Sequence, residues 1–268
     1  MIKEALFELS FPYYTGHDRT VRVYVPEHEE GEKLPVIYMT DGQNLFEDTD
    51  LRFGCWYTRE AVAEERRLSG QAAIIVGIHN DESPRQRANE LTPKSIGTVM
   101  LPPDMPEEER VHVNPSGEVF DDFVVNTVMP AVEEQFPVRK GRNETAFCGS
   151  SSGGLQSYFT ALTHPDKFCA AGVFSPALLF YSPEDMRSWI ASVMRDKMPY
   201  LYFYMGGGDE LEQILAIGMD RTYDILMDFY PPEKLSSVIL PDQKHHESAW
   251  APIFKDFLHT FLARRAEL

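Results

Sequence analysis

Short apolar runs alternate with longer amphipathic stretches along the chain. The runs are four to seven residues long, are rich in Val, Ile, Tyr and Phe, and lack a regular alternation of polar and apolar positions. Such runs are typical of strands that are covered on both faces. Eight strands are predicted, of which the first two form an antiparallel hairpin; they cover residues 5–9, 20–25, 35–40, 72–78, 145–148, 170–174, 200–205 and 237–240.

The amphipathic stretches between these runs have the spacing of helices that bury one face. Alternation of strands and helices predicts an α/β protein with a mostly parallel central sheet of about eight strands and helices on both faces. Ligands of such sheets bind at the carboxyl ends of the strands. Helices are predicted over residues 58–67, 119–135, 153–163, 183–195, 211–230 and 248–264.

One segment, residues 97–117, interrupts this alternation. It contains prolines at 102, 103 and 106 and the acidic run Glu107-Glu108-Glu109, and it joins the fourth strand of the core to the helix that follows. A connection of this length is typical of a functional loop or of a mobile insertion. Two interpretations therefore stay open, a lid or specificity loop and a connection without a function.

Chain length and hydropathy limit the class of protein. The chain has 268 residues, of which 43% are hydrophobic, so we expect one large domain over residues 1–268. No apolar run approaches the roughly 20 residues that span a bilayer. The first residues carry acidic side chains where a signal peptide needs an apolar stretch. We therefore expect a cytoplasmic protein that does not bind membranes.

The charge balance excludes one kind of partner. Lys and Arg number 25 and Asp and Glu number 42, which gives a formal net charge of −17. A surface this acidic repels polyphosphates, so nucleic acid is not expected as a partner. The three cysteines, Cys55, Cys148 and Cys169, show no metal-ligand spacing. We expect them to be buried packing residues, and we expect no metal site.

The strongest chemical motif is Gly149-Ser150-Ser151-Ser152-Gly153, which lies directly after a predicted strand and directly before a predicted helix. In this context Gly-x-Ser-x-Gly predicts the nucleophile turn of an α/β-hydrolase, with Ser151 as the nucleophile. The flanking glycines are needed because a Cβ there would collide with the neighbouring strand and helix. The turn also directs the backbone N–H of Ser152 toward the reacting oxygen. The alternative is a turn that only caps a helix.

A serine hydrolase of this fold also needs a histidine base, which follows the acid in the chain. Three of the eight histidines lie far enough downstream of Ser151, namely His245, His246 and His259. His259 falls within the last predicted helix and is expected to be structural. His245 and His246 lie in the loop after the last strand, from which a base can reach Ser151, and spacing alone leaves both open.

The acid is expected at the end of the preceding strand. There, three glycines, Gly206 to Gly208, are followed by Asp209 and Glu210. The glycines allow a sharp turn that brings either carboxylate toward the histidine, where it would fix the imidazole tautomer. A phosphate-binding loop is the alternative, but the Lys and Ser/Thr of that motif are absent and two acids follow.

At this point the chain resembles the esterase-D-like esterases of the α/β-hydrolase superfamily. That family includes bacterial feruloyl and acetylxylan esterases, enterochelin-type siderophore esterases and mycobacterial mycolyltransferases. The resemblance covers nearly the whole chain. Four motifs carry it: Tyr38-Met-Thr-Asp41-Gly42-Gln43-Asn44-Leu45-Phe46, Arg87-Ala-Asn-Glu90-Leu-Thr-Pro93, Gly149-Ser-Ser151-Ser-Gly153-Gly154 and His245-His-Glu247-Ser-Ala-Trp250.

The resemblance implies roles for particular residues. The family's catalytic histidine stands five residues before the tryptophan that matches Trp250, which selects His245. The family's acid follows Gly-x-x, which selects Asp209. A second oxyanion donor is implied at the backbone N–H of Gln43, beside that of Ser152. The family more often has methionine at position 152, but a backbone N–H does not depend on the side chain.

The resemblance also implies the chemistry, which is hydrolysis of a small-molecule ester through an acyl-enzyme on Ser151, without a cofactor. Esters of small acyl groups, sugars or aromatic acids, of the feruloyl or acetyl type, are the expected substrates. Acyl transfer, siderophore ester hydrolysis and a non-catalytic binding protein of this fold are the alternatives, and a homo-oligomer is left open. We expect Arg87 and Glu90 to form a structural pair, with a substrate-orienting role as the alternative, and Asp41 to be a structural hydrogen-bonding residue.

Overall fold

A computed structural model of the chain describes residues 1–47, 54–81, 83–101, 105–110 and 113–268. Within these residues one eight-stranded sheet has the order β1-β2-β4-β3-β5-β6-β7-β8. The first two strands pair antiparallel, β2 pairs antiparallel with β4, and every other pair is parallel. This confirms the predicted mostly parallel sheet. The strands are β1 Ala5–Phe11, β2 Arg19–Val25, β3 Val36–Met39, β4 Ile74–Ile78, β5 Thr145–Ser150, β6 Ala170–Phe174, β7 Tyr200–Met205 and β8 Leu235–Ile239.

Helices cover both faces of this sheet, as predicted. Side chains of successive strand residues point to opposite faces, and in β7 Leu201 and Phe203 belong to one core cluster while Tyr202 and Tyr204 belong to the other. The helices are α1 Thr58–Ser69, α2 Pro84–Glu90, α3 Glu107–Arg110, α4 Gly117–Phe123, α5 Met129–Gln135, α6 Ser152–Thr163, α7 Pro183–Val193, α8 Glu210–Met227 and α9 Glu247–Arg264. The first cluster includes side chains of α6 and α8, and the second includes side chains of α1 and α9.

The helix predicted over residues 119–135 is interrupted. Between α4 and α5, residues Val124–Val128 form a π-helical turn, in which the Met129 N–H donates to the Val124 carbonyl. Pro130 follows this turn. Because proline has no N–H and its ring crowds the carbonyl four residues earlier, regular α-helical hydrogen bonding cannot run through this point. Helical periodicity alone does not reveal such an interruption.

The segment 97–117 contains the short helix α3 and ends where α4 begins. Residues 102–104 and 111–112 of the segment lie outside the described residues. An open cavity of about 590 Å³ lies against the segment, and Asp185 of α7 also lines it. The lid or specificity role of this segment stays a prediction.

Cys55, Cys148 and Cys169 are all buried, as predicted. Among the described residues, no helix combines the length and the apolar character needed to cross a membrane.

Candidate active site

Ser151 lies at the sharp turn between β5 and α6, at the carboxyl edge of the sheet. Its backbone has φ 59° and ψ −125°, which L-residues rarely adopt. The Ser151 N–H donates to the Phe174 carbonyl at 2.9 Å, which ties the turn to the end of β6. A Cβ at Gly149 or Gly153 would collide with the Thr40 side chain. The structure therefore contains the strand–turn–helix geometry that the sequence predicted for a nucleophile.

A second turn lies beside Ser151. Gly42–Asn44 form a 3-10 turn directly after β3, which pairs with β5. Asp41 starts it with a left-handed backbone, φ 55°. Neither the Gln43 N–H in this turn nor the Ser152 N–H, at the first position of α6, has an acceptor within its own helix. Both N–H groups are thus suited to binding an oxyanion.

The Gln43 side chain ties its turn to the neighbouring strand. Gln43 Nε2 donates to Asn80 Oδ1, and the Asn80 N–H donates back to Gln43 Oε1 at 3.4 Å. Asn80 follows β4, and Gly42 packs so closely on Gly77 of β4 that a Cβ at Gly42 would overlap the Gly77 backbone. Contacts with the next strand therefore fix the position of the Gln43 backbone.

His245 lies in the loop between β8 and α9, with its side chain 11% exposed. Its Nδ1 lies 3.0 Å from Glu212 Oε1. The imidazole meets the indole of Trp250 edge-on, with ring centroids 5.0 Å apart and an interplanar angle of 89°. With Nδ1 donating to a carboxylate, Nε2 is left with its lone pair and can accept a proton.

Asp209 does not contact the imidazole, which is a correction to the sequence analysis. It is the N-cap of α8, where its Oδ1 accepts from the Glu212 N–H at 2.9 Å and its Oδ2 accepts from the His245 backbone N–H at 2.9 Å. Although partial burial acts in the opposite direction, these two N–H donors hold the pKa of Asp209 below its usual value. Asp209 thus fixes the backbone of the histidine loop, and the carboxylate that meets the ring belongs to Glu212.

Glu212 replaces Asp209 at the ring because of helix geometry. Asp209-x-x-Glu212 has the spacing of a capping box, in which the third helical residue turns back toward the start of the helix. The Glu212 side chain is 0% exposed. Glu212 Oε2 accepts from the Gly206 N–H at 3.1 Å, and Oε1 accepts from the Ser175 hydroxyl at 2.7 Å as well as from His245. Three donors therefore satisfy a fully buried carboxylate, as a buried charge requires.

Ser175 extends this network to α9, and sequence analysis did not identify it. It directly follows β6, has a left-handed backbone with φ 40° and is fully buried. Its hydroxyl accepts from Trp250 Nε1 at 3.0 Å while it donates to Glu212. Trp250 thus contacts both the imidazole and, through Ser175, the carboxylate that holds it. The chain offers no local pattern at residue 175 that would have indicated this.

The neighbouring histidine, His246, makes its contacts away from the buried carboxylate. His246 is the N-cap of α9, where its Nδ1 accepts from the Ser248 N–H at 3.1 Å and lies 2.9 Å from the Ser248 hydroxyl. Its ring also packs against Gly54, where an added Cβ would come within 2.9 Å of the imidazole Cε1. Of the two adjacent histidines, only His245 pairs with the buried carboxylate.

Two ion pairs, one partly buried and one buried, replace the pair expected between Arg87 and Glu90. Arg87 makes a bidentate contact with Asp41, with Nε–Oδ1 2.6 Å and Nη2–Oδ2 2.8 Å. Glu90 makes a bidentate contact with Arg19, at 3.0 and 2.7 Å. The expected pair was wrong because each residue finds its partner on a distant strand or turn. Asp41 is a structural hydrogen-bonding residue, as expected, with a charged partner.

Within the residues that the structure describes, no group of three or more His, Cys, Asp or Glu side chains is placed to hold a metal ion. What the site does offer is a serine in a strained turn, two N–H groups suited to an anion, and an imidazole held by a carboxylate. That set of groups can perform acyl transfer from an ester.

The sheet, the turn after β5 and the flanking helices define the α/β-hydrolase class. Within it, the chain belongs to the family described as "Putative esterase", whose model matches residues 13–199, and it is a serine-type carboxylic-ester hydrolase. It is 27% identical over 248 residues, 85% of this chain and 75% of the other, to the "Siderophore triacetylfusarinine C esterase" of Aspergillus fumigatus.

Solved structures show the same fold. The siderophore hydrolase EstA from Aspergillus nidulans superposes with a TM-score of 0.72 at 19% identity, covering 97% of this chain and 94% of that one. The ferulic acid esterase AmCE1/Fae1A from Anaeromyces mucronatus, in complex with ferulic acid, superposes with a TM-score of 0.67 at 20% identity, covering 97% and 91%.

Proposed function

We propose that this esterase works through an acyl-enzyme on Ser151, with His245 as the base and Glu212 as the carboxylate that orients it. The observation that carries the proposal is the contact between His245 Nδ1 and the fully buried Glu212. That contact fixes the imidazole tautomer whose Nε2 can accept the Ser151 proton. Asp209, which the sequence suggested for this role, contributes by fixing the His245 backbone.

The reaction proceeds in two halves. Ser151 Oγ attacks the ester carbonyl while its proton passes to His245 Nε2, and the carbonyl oxygen becomes an oxyanion that the Gln43 and Ser152 N–H groups stabilise. The ester C–O bond then breaks, the alcohol leaves with the proton from His245, and an acyl-serine remains. Water, deprotonated by His245, attacks this ester. The bond between the acyl carbon and Ser151 Oγ then breaks, Oγ takes the proton back from His245, and the carboxylic acid leaves.

We propose esters of small acyl groups, sugars or aromatic acids as the substrates, in line with the fold shared with the ferulic acid esterase. A siderophore ester is a second candidate. The likeness that favours it is to a siderophore esterase over 85% of this chain. The cytoplasmic location, the single domain and the homo-oligomer considered from the sequence stay predictions.

Two measurements test this proposal. A fluorophosphonate probe should label the wild type but not Ser151→Ala. The same variant should hydrolyse esters at least about 10⁴-fold more slowly than the wild type. Ser150→Ala, a change of the same size one residue earlier, should keep both. A panel of acetylated-sugar, feruloyl and siderophore esters then ranks the substrates by kcat/KM. Labelling of Ser151→Ala as strong as that of the wild type would contradict the assignment of the nucleophile.

A further inference from the structure

A second buried carboxylate lies beside the proposed site, and the mechanism above does not use it. Glu247 is the first residue of α9, two residues after His245, and is 6% exposed. Its Oε1 accepts a hydrogen bond from Asn44 Nδ2 at 3.0 Å, across 203 positions of the chain. Asn44 directly follows Gln43. One hydrogen bond therefore connects the loop that carries the base to the turn that carries an oxyanion donor.

The turn at Gln43 is consequently held from two sides. On one side, the Gln43 side chain is hydrogen bonded to Asn80 at the end of β4. On the other, the side chain of Asn44 is hydrogen bonded to Glu247 at the start of α9. The left-handed backbone of Asp41 gives the turn an unfavourable starting conformation, which the surrounding contacts must maintain.

The charges around Glu247 come from three elements. Asp41 faces Glu247 from the turn, and Arg87 faces it from α2. Arg87 is paired with Asp41, and its Nη2 also lies 3.5 Å from the Ser150 carbonyl oxygen. His245 lies two residues before Glu247, in the loop that leads into α9. Burial, reinforced by the negative charge of Asp41, raises the pKa of Glu247 to about 7, against the opposing effects of its own backbone N–H, Asn44 and Arg87.

We propose that Glu247 is a positioning residue for ester hydrolysis, an inference that rests on the proposed function. Through Asn44, Glu247 fixes the Gln43 turn relative to the His245 loop. Oxyanion donors act only when they already point to where the charge develops, and a displacement of about 1 Å costs on the order of 10²-fold in rate. A link between the two loops keeps the donor and the base in one geometry. Glu247 acts through Asn44 and does not touch the substrate.

The proton on Glu247 changes what this link contributes. The protonated carboxyl still offers a carbonyl oxygen to Asn44, so the hydrogen bond survives. The ionised carboxylate adds a negative charge next to Asp41, close to the turn where the oxyanion develops, and this charge disfavours the transition state. Ester turnover at pH 8 is therefore lower than it would be with a neutral acceptor at this position.

The test compares kcat and KM for a small activated ester in three variants. Glu247→Ala and Asn44→Ala should each lower kcat about 10- to 100-fold and leave KM within about threefold, because the oxyanion forms only in the transition state. Their double variant should be no slower than the slower single variant, because both changes break one link. Multiplied losses, or a loss in KM alone, would overturn the proposal.

The pH profile is a readout that a merely structural role would not move. Glu247→Gln keeps an acceptor but cannot ionise, so its kcat divided by that of the wild type should rise at least about threefold from pH 6 to pH 8. A ratio that stays constant or falls would contradict the electrostatic effect. Glu65→Gln is the matched control, since Glu65 is equally buried, at 6% exposed, and pairs with His259 far along α9; its ratio should stay flat.

The outcomes separate this proposal from the one on which it rests. If the wild type hydrolyses esters and Ser151 takes the fluorophosphonate label, while Glu247→Ala and Asn44→Ala keep kcat within about twofold, the positioning role fails and the mechanism stands. If Ser151 takes no label, the mechanism fails first. Thermal unfolding of each variant shows whether a loss of turnover accompanies a loss of fold, and the Gln variant covers the case in which Glu247→Ala does not fold.

Discussion

At the scale of single residues, Asp209 and Glu212 share the first turn of α8 but bind different parts of His245. Asp209 accepts from the backbone N–H of His245, whereas Glu212 meets its imidazole. Only the second contact can set the tautomer of the ring, and in the proposed mechanism it holds the imidazolium cation directly. The first sets where the loop lies. Isosteric amide variants should separate these two contributions.

Glu212→Gln should lower kcat for a small activated ester by on the order of 10³–10⁴, because an amide can present its NH₂ to Nδ1 and favour the wrong tautomer. Asp209→Asn should cost at least about tenfold less in kcat. It should lower the free energy of unfolding by about 1 kcal/mol, because Asn caps a helix as well as Asp but has only one acceptor oxygen for the Glu212 and His245 N–H groups. Steady-state kinetics and urea unfolding measure the two effects. A reversed order in kcat would return the orienting role to Asp209.

The adjacent histidines allow an equally direct comparison. His245→Ala should nearly abolish ester turnover, and the double variant with Ser151→Ala should be little slower than either single variant, because the two residues act as a unit. His246→Ala should keep at least about a tenth of the wild-type kcat, a loss of at most about 1.4 kcal/mol in transition-state stabilisation. An inactive His246 variant beside an active His245 variant would overturn the assignment of the base.

The sequence identifies residues whose role is set locally. Gly-x-Ser-x-Gly locates Ser151 because the turn needs small neighbours on both sides within five residues. Glu212 was missed although Asp209-x-x-Glu212 is visible as a capping spacing, because which carboxylate meets the ring depends on how α8 is rotated beneath a loop more than 30 residues away. Ser175 and the Arg19–Glu90 pair depend in the same way on tertiary contacts.

At the scale of elements, the buried pair between Arg19 and Glu90 joins β2 to α2. Glu90 is 0% exposed, it also accepts from the Asp81 N–H at 2.8 Å, and the guanidinium of Arg19 lies over the Tyr13 ring. Removing one partner of such a pair leaves a buried charge without compensation, which is far costlier than removing an exposed pair. The helix α2 is too short to hold its place by apolar burial alone.

Glu90→Gln should therefore lower the free energy of unfolding by about 3–5 kcal/mol, measured by urea denaturation. Asp228→Asn is the matched control, because Asp228 pairs with Arg187 at a comparable distance, 2.7 Å, but both side chains are about half exposed. That change should cost no more than about 1 kcal/mol. Equal effects of the two changes would show that burial does not govern the strength of these pairs.

Strands were predicted from the sequence more completely than short or irregular helices. The buried parallel strands were found because each is a continuous apolar run, which burial on both faces requires. The helix α2 was not predicted, since seven residues are too few for a periodic pattern. Its start can nevertheless be read in the sequence, as Ser83 caps it through Gln86 and Pro84 takes the first helical position. The π-helical turn before Pro130 was missed because apolar spacing persists through it.

At the scale of the whole molecule, the dominant property is the excess of 42 acidic over 25 basic side chains. A net charge of −17 produces a negative potential that acts on a substrate before it makes any contact. The range of that potential is set by dissolved salt, with a Debye length of about 30 Å at 0.01 M and about 8 Å at 0.15 M ionic strength. Substrate charge should therefore matter most in dilute buffer.

Two esters that share an acyl group and differ by one negative charge on the alcohol test this effect. For the anionic ester, kcat/KM should rise about two- to tenfold between 10 and 150 mM sodium chloride, because screening weakens its repulsion by the enzyme. For the neutral ester, kcat/KM should change by less than about 1.5-fold, since net molecular charge exerts no first-order force on it. The neutral ester thus controls for any effect of salt on the fold or on the chemical step. A fall in kcat/KM for the anionic ester would mean that local cations outweigh the net charge of the molecule on the path to the site. Lys94 and Arg110, which line the cavity against the segment 97–117, are two such cations.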